Sequence, residues 1–165
     1  EIIITPKMSF GTGHHETTFL MMNQMLKLDF KNKSVLDIGC GTGVLSILSK
    51  MLESSNTLGI DIDEWSYKNA VENAVLNNIS DINFLQGDID SIDGTFDVIL
   101  ANINRNIILS DINKYLNLMN EDSDLLLSGF LSEDIQIIRE KSKELNLKFI
   151  SHKNKNKWHL LHFTN

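Results

Sequence analysis

Cysteine and proline each occur once in this 165-residue chain, at Cys40 and Pro6. One thiol cannot close an internal disulfide, which excludes a disulfide-stapled scaffold and favours a reducing compartment. One proline leaves no proline-rich linker, and there is no internal repeat or low-complexity tract, so a single domain over 1–165 is expected. No apolar run approaches the ~20 residues of a membrane span, and no secretory leader is visible. A cytoplasmic location with no membrane partner is therefore the expectation. Basic residues are also scarce, 15 Lys and Arg against 22 Asp and Glu for a net charge of -7, and the only lysine-dense stretch is Lys153 to Lys157. That balance repels a phosphate backbone and attracts a lysine-rich protein or a small cation, so no direct nucleic-acid partner is expected. Missing too are a P-loop, a nucleophile elbow and a paired-carboxylate motif. The histidines show no metal-site spacing: His14 and His15 are adjacent and their side chains diverge, and His152, His159 and His162 follow no ligand pattern. No metal is expected.

What is present centres on Ser34 to Leu45, SVLDIGCGTGVL. The aliphatic run ending at Asp37 predicts a buried strand, and the apolar spacing of Val44, Leu45, Ile47 and Leu48 predicts a helix. Between them lie Gly39, Gly41 and Gly43. Glycine turns the backbone sharply and lets a ligand lie against the main chain, where a helix N-terminus offers unpaired N–H groups. A dinucleotide fingerprint wants a third small residue where this chain has Val44, which disfavours a nicotinamide oxidoreductase. The alternate glycines instead follow the pattern of enzymes that bind S-adenosylmethionine (SAM), a ligand with no phosphate to cradle.

The rest of the chain alternates strand and helix. Ile2 to Ile4 predicts a short strand stopped by Pro6, and a helix is expected from about Thr17 to Leu28, with Leu20, Met21, Met25 and Leu28 as its core stripe. Thr57 to Asp63 predicts a strand ending in acids, with Asp63 capping a helix from Glu64 to Asn77. Strands over Ile82 to Leu85, Phe96 to Ala101 and Asp124 to Leu127 alternate with helices near Arg105 to Met119 and Glu133 to Leu145. A closing hairpin pairs Phe149 to His152 with Trp158 to Phe163 across the polar segment Lys153 to Lys157. Right-handed crossovers then imply an α/β fold: a doubly wound, Rossmann-like sheet, mostly parallel, with a C-terminal antiparallel hairpin.

In such sheets ligands bind beyond the carboxyl ends of the strands. Asp61, about twenty residues past the glycine turn, is placed to accept both hydroxyl protons of a ribose, worth roughly 1.5 to 3 kcal/mol. Its other role would be to start the next helix, which Asp63 already does. Asp88 has two readings, an acceptor for an adenine amino group or a turn residue, and Ile62 and Ile89 are placed to sandwich the ring. Asn102 can accept from an amine nucleophile or from the ligand, or else form an Asx turn.

These residues resemble a known family. Phe10-Gly11-Thr12-Gly13-His14-His15-Glu16-Thr17-Thr18, the run Val35 to Gly43, Gly59-Ile60-Asp61-Ile62-Asp63 and Ala101-Asn102-Ile103 look like the bacterial PrmA-type methyltransferases, which methylate ribosomal protein L-eleven of the large subunit. The resemblance implies a class I SAM-dependent catalytic domain over 1–165, an N-methyltransferase acting on lysine side chains or the α-amino group. By the same resemblance Thr18, Gly39, Asp61 and Asn102 contact SAM, with Gly41 and Phe10 nearby. For the transfer itself, the Phe10 to Thr18 loop, whose glycines allow movement, is expected to form a lid, and Asn102 with neighbouring backbone carbonyls to orient the amine. Family members also carry an N-terminal domain that recruits the ribosomal protein, and 1–165 is not expected to contain it. Glu16 stands where the family commonly has proline, a change expected to alter only loop stiffness. Methylation of RNA or of a small amine, or SAM binding without catalysis, are the alternatives; the Asn/Asp-Pro-Pro-Tyr/Phe motif common in nucleic-acid methyltransferases is replaced by Asn102-Ile103-Asn104-Arg105.

Overall fold

The computed structural model describes residues 1–7 and 15–165. Among these residues, seven strands form one sheet in the order β3-β2-β1-β4-β5-β7-β6: β1 Ser34–Ile38, β2 Asn56–Asp61, β3 Ile82–Gln86, β4 Phe96–Asn102, β5 Met119–Leu131, β6 Lys148–Lys155 and β7 Trp158–Thr164. The first five pair in parallel, and β7 lies antiparallel to both β5 and β6. Helices α1 Glu16–Met25, α2 Val44–Met51, α3 Glu64–Leu76, α4 Arg105–Asn117 and α5 Ile135–Glu144 cover the sheet.

Alternation along β1 divides the interior, because successive side chains of a strand point to opposite faces. Leu36 and Ile38 join Ile99, Leu125 and Phe163 of the sheet in packing against Ile108, Ile112 and Tyr115 of α4 and Ile138 of α5. Val35 joins Val98, Leu100, Leu126 and Leu160 against Leu20, Met21 and Met25 of α1 and Val44, Leu45 and Leu48 of α2. The methionine stripe is therefore core. Each such buried side chain is worth roughly 1.5 to 3 kcal/mol, which holds the helices on both faces.

Register brings the strand exits level: Ile38 pairs with Ile60 and Ala101, Asp61 with Gln86, and Asn102 with Ser128. The strand order reverses between β1 and β4, so the crevice of a doubly wound sheet opens there.

Four expectations are corrected. Ile2 to Ile4 is not a strand: it runs extended along α3, held by asparagine side chains. The chain does not leave the sheet at Leu127, because Gly129 (φ 98) sits at a register shift that lets β5 continue to Leu131. The strands of the hairpin run through the lysine-rich segment and turn at Asn156 (φ 53) and Lys157. Glu16 does more than stiffen a loop: it opens α1, and its Oε1 accepts from Nδ2 of Asn156 at 3.1 Å, tying the hairpin tip to that helix.

Candidate functional site

One cavity of about 720 Å³ opens at the level strand exits, within the 300–1,000 Å³ usual for small-molecule sites. Thr18, Gly39, Gly41, Asp61, Asp88 and Asn102 all line it, and Ile62 and Ile89 do as well. Phe10 and most of the expected lid lie outside the described residues. The cavity wall also contains residues not anticipated from sequence: Asp37, Cys40, Ile103, Ile107, Asp111, Gly129 and Trp158.

The floor is the glycine turn. Gly41 N–H donates to Oδ2 of Asp61 at 2.9 Å, and Asp63 N–H donates to its Oδ1 at 3.0 Å. Asp61 thus pins the turn and also helps start α3, while Asp63 caps α3 through Ser66 N–H at 2.7 Å. A carboxylate has about four acceptor positions, so two remain for ligand hydroxyls. Asp88 likewise combines its two readings: its Oδ1 accepts from Asp90 N–H at 3.2 Å to start a short 3-10 turn, and it lines the cavity. Ile62 is 76% exposed at the cavity rim, opposite in character to the buried Ile89. An apolar side chain left in water beside an acid suits the covering of a flat ring.

At the other side, Gly39 (φ 65) and Gly129 (φ 98) both press on Ile103. A Cβ on Gly39 would stand 2.5 Å from Cγ2 of Ile103, and one on Gly129 would meet the Ile103 main chain. Ile103 N–H also donates to Ser128 O at 3.1 Å. The segment after β4 is therefore clamped, and Asn102 with it.

Asn102 is the least satisfied group in the wall. Its Nδ2 reaches Oγ1 of the buried Thr18 at 3.5 Å, while its buried Oδ1 has no partner among the described residues. An Asx turn would engage that oxygen. Instead Asn104 makes the local cap, accepting from Ile107 N–H at 3.2 Å to start α4. A buried acceptor left unpaired costs about 1 to 3 kcal/mol, so a ligand donor is the natural occupant.

The electrostatics are one-sided. Asp37, Asp61, Asp88 and Asp111 line the cavity, and no lysine or arginine does among the described residues. Burial pushes the Asp37 carboxyl up to about 6, against the O–H and N–H of Ser46, which both donate to its Oδ2. Burial also pushes the Cys40 thiol well up, with Asp37 and Asp61 adding to the effect, so it stays protonated. His15 lines the mouth in a T-shaped contact with Trp158, ring centroids 4.8 Å apart. Its Nδ1 accepts from Thr17 N–H at 3.3 Å, capping α1. Among the described residues no group of three His, Cys, Asp or Glu side chains is placed to hold a metal.

Among the described residues a pyrophosphate finds no lysine or arginine in this wall, whereas a nucleoside with a sulfonium and an ammonium group finds carboxylates, bare main chain and an orphan acceptor. The donor set fits SAM. The family model for ribosomal protein L11 methyltransferase (PrmA) matches residues 1–165. The chain belongs to this family.

Relatives bear the same description. The ribosomal protein L11 methyltransferase of Bacteroides thetaiotaomicron is 47% identical over 166 residues, covering 99% of this chain and 59% of the relative. That of Porphyromonas gingivalis is 48% identical over 166 residues, covering 99% and 57%. The chain thus spans less than two thirds of the length of these curated relatives. A crystal structure of a ribosomal protein L11 methylase from Lactobacillus delbrueckii subsp. bulgaricus superposes with a TM-score of 0.88 at 31% identity, over 92% of this chain and 80% of that one. A methyltransferase from Pyrococcus furiosus, at 18% identity and a TM-score of 0.79, covers 99% of this chain and 87% of that one and shares the fold. Within the family fold, no helix among the described residues is long and apolar enough to cross a membrane.

Proposed function

We propose that this PrmA-family chain is a SAM-dependent N-methyltransferase unit that acts in the cytoplasm on amines of ribosomal protein L11, lysine side chains or the α-amino group. The observation that carries the proposal is the buried Oδ1 of Asn102, without a partner among the described residues, in the wall of an acidic cavity. SAM, when bound, supplies a methyl group already activated by its sulfonium, so the chain has mainly to position and to exclude water.

The residues divide that work. Asp61 accepts the ribose hydroxyls at its two remaining acceptor positions, and Ile62 and Ile89 flank the adenine, whose amino group Asp88 accepts. Gly39 and Gly41 offer main chain without a side chain in the way, and Thr18 closes the wall beside Asn102. Asn102 is the catalytic residue: its Oδ1 accepts an N–H of the incoming amine and turns the nitrogen lone pair toward the methyl group. The amine must be neutral to attack. At pH 7.4 a lysine of pKa ≈ 10.4 is three units from neutral, a cost near 4 kcal/mol. The apolar walls given by Ile103, Ile107 and Trp158 lower it by disfavouring the ammonium form, against the opposing pull of the cavity carboxylates. An acidic protein also draws a lysine-rich partner, and its charge of -7 opposes direct contact with RNA.

The test is transfer of labelled methyl from SAM to unmethylated L11, at concentrations that saturate weak capture, with ribosomal RNA and a small amine as parallel acceptors. Label on L11 supports the proposal. Label only on RNA or the small amine, or no label while SAM binds, overturns it.

A further inference from the structure

Asn69 and Asn73 of α3 and Asn77, its C-cap, lie four apart and face the segment of residues 3–7. Four helical residues rise about 6.0 Å, and two extended residues advance about 6.6 Å. A ladder of asparagines on a helix therefore keeps step with every second residue of an extended chain. The bonds follow that rule: Ile3, Thr5 and Lys7 N–H donate to Oδ1 of Asn77, Asn73 and Asn69 at 2.8, 3.0 and 3.2 Å. In return Asn77 donates to Ile3 O at 2.7 Å and Asn69 to Thr5 O at 2.9 Å. Pro6, which has no N–H, falls on an alternate position where the ladder asks for none.

Asn73 differs from its two neighbours. It is wholly buried, and its Nδ2 donates at 2.9 Å to the carbonyl of Thr42, inside the glycine turn that floors the cavity. One side chain thus holds Thr5 with its oxygen and the turn with its nitrogen. The segment it holds runs on in sequence toward Thr17 and Thr18, which belong to the opposite wall.

We infer that Asn73 is a positioning residue coupling the seating of residues 3–7 to occupancy of the glycine-turn cavity. The inference rests on the proposal that this cavity takes SAM. Gly41, next to Thr42 in the turn, lines the cavity, so a ligand that restrains the turn there restrains the Thr42 carbonyl, Asn73 and, through it, the segment; by linkage, a seated segment must strengthen ligand binding by the same factor.

Amide hydrogen exchange on the 165-residue chain, with and without saturating SAM, tests it, alongside calorimetry of SAM binding. SAM is expected to slow exchange at Ile3, Thr5 and Lys7 by about fivefold or more, and Asn73→Ala to abolish that slowing and weaken SAM by the same factor. Asn77→Ala removes ladder bonds without touching the turn. It is expected to speed exchange at Ile3 while SAM affinity stays within about twofold. A merely structural Asn73 would lower thermal stability and leave SAM affinity alone, which would overturn the coupling. So would unchanged exchange at the three amides in the unaltered chain when calorimetry shows SAM bound, and this readout decides even if Asn73→Ala does not fold. Absence of any SAM binding overturns the cofactor proposal and the coupling together.

Discussion

Gly129 of β5 lies directly against the main chain of Ile103, so a residue near the end of one strand fixes the segment that follows the neighbouring strand. Gly94 supplies a matched control, with nearly the same φ (95 against 98) and no atom within 4 Å of where a Cβ would stand. Gly94→Ala is expected to cost about 1 to 2 kcal/mol of backbone strain. Gly129→Ala is expected to cost at least about 2 kcal/mol more, since backbone must move to admit the methyl group. Urea denaturation of the two variants gives the difference; equal losses would mean that the clamp on Ile103 is not there.

Asn102→Ala removes the acceptor assigned to the amine while leaving the carboxylates in place. Turnover with L11 is expected to fall by about 100-fold or more, with SAM affinity changed by less than about tenfold. Single-turnover kinetics beside calorimetry separate the two. Unchanged turnover would remove Asn102 from the chemistry.

Asp61→Asn keeps one acceptor oxygen but replaces the other with a donor facing Gly41 N–H or Asp63 N–H. SAM affinity is expected to weaken by about 10- to 100-fold, the equivalent of roughly 1.5 to 3 kcal/mol for charge-assisted hydrogen bonds. Calorimetry reads it directly, and an affinity within twofold of the unaltered chain would refute the ribose assignment.

Asp37 gives a pH signature. Its carboxyl is raised from 3.8 to about 6 by burial, so between those values the folded chain holds a proton that the unfolded chain has released. Its contribution to stability is fully present below pH 3.8 and is lost as pH rises through about 6. Relative to Asp37→Asn, the unaltered chain should lose roughly 1 kcal/mol between pH 5 and 7 in chemical denaturation. Affinity for a cationic ligand should rise over the same window in the unaltered chain and stay flat in the variant. A parallel pH dependence in both proteins would contradict the burial of a titrating Asp37.

The doubly wound sheet was legible because β1 and β4 carry apolar runs too regular to be anything but buried strands, and because the glycine turn announces the crevice. The strand-end acids and Asn102 were legible for the same reason: topology places every strand exit around one opening. The asparagine ladder was not. Asn69, Asn73 and Asn77 add nothing to an apolar pattern, and their partners in residues 3–7 are main-chain groups 62 to 74 positions away in sequence, which no local periodicity reveals. Their spacing of four along a helix was the available signal. Gly129 misled in a specific way, since a glycine after an apolar run signals a strand end as readily as a bulge within it. Trp158 and Asp111 reach the cavity from β7 and α4, which only the tertiary fold brings there.

Isothermal titration of the chain with SAM and, separately, with NAD is the most direct check on an acidic cavity shaped for a cationic nucleoside. Saturable heat with SAM, diminished in Asp61→Asn, and none with NAD is the expected result. Saturable binding of NAD, or no binding of SAM, would contradict it.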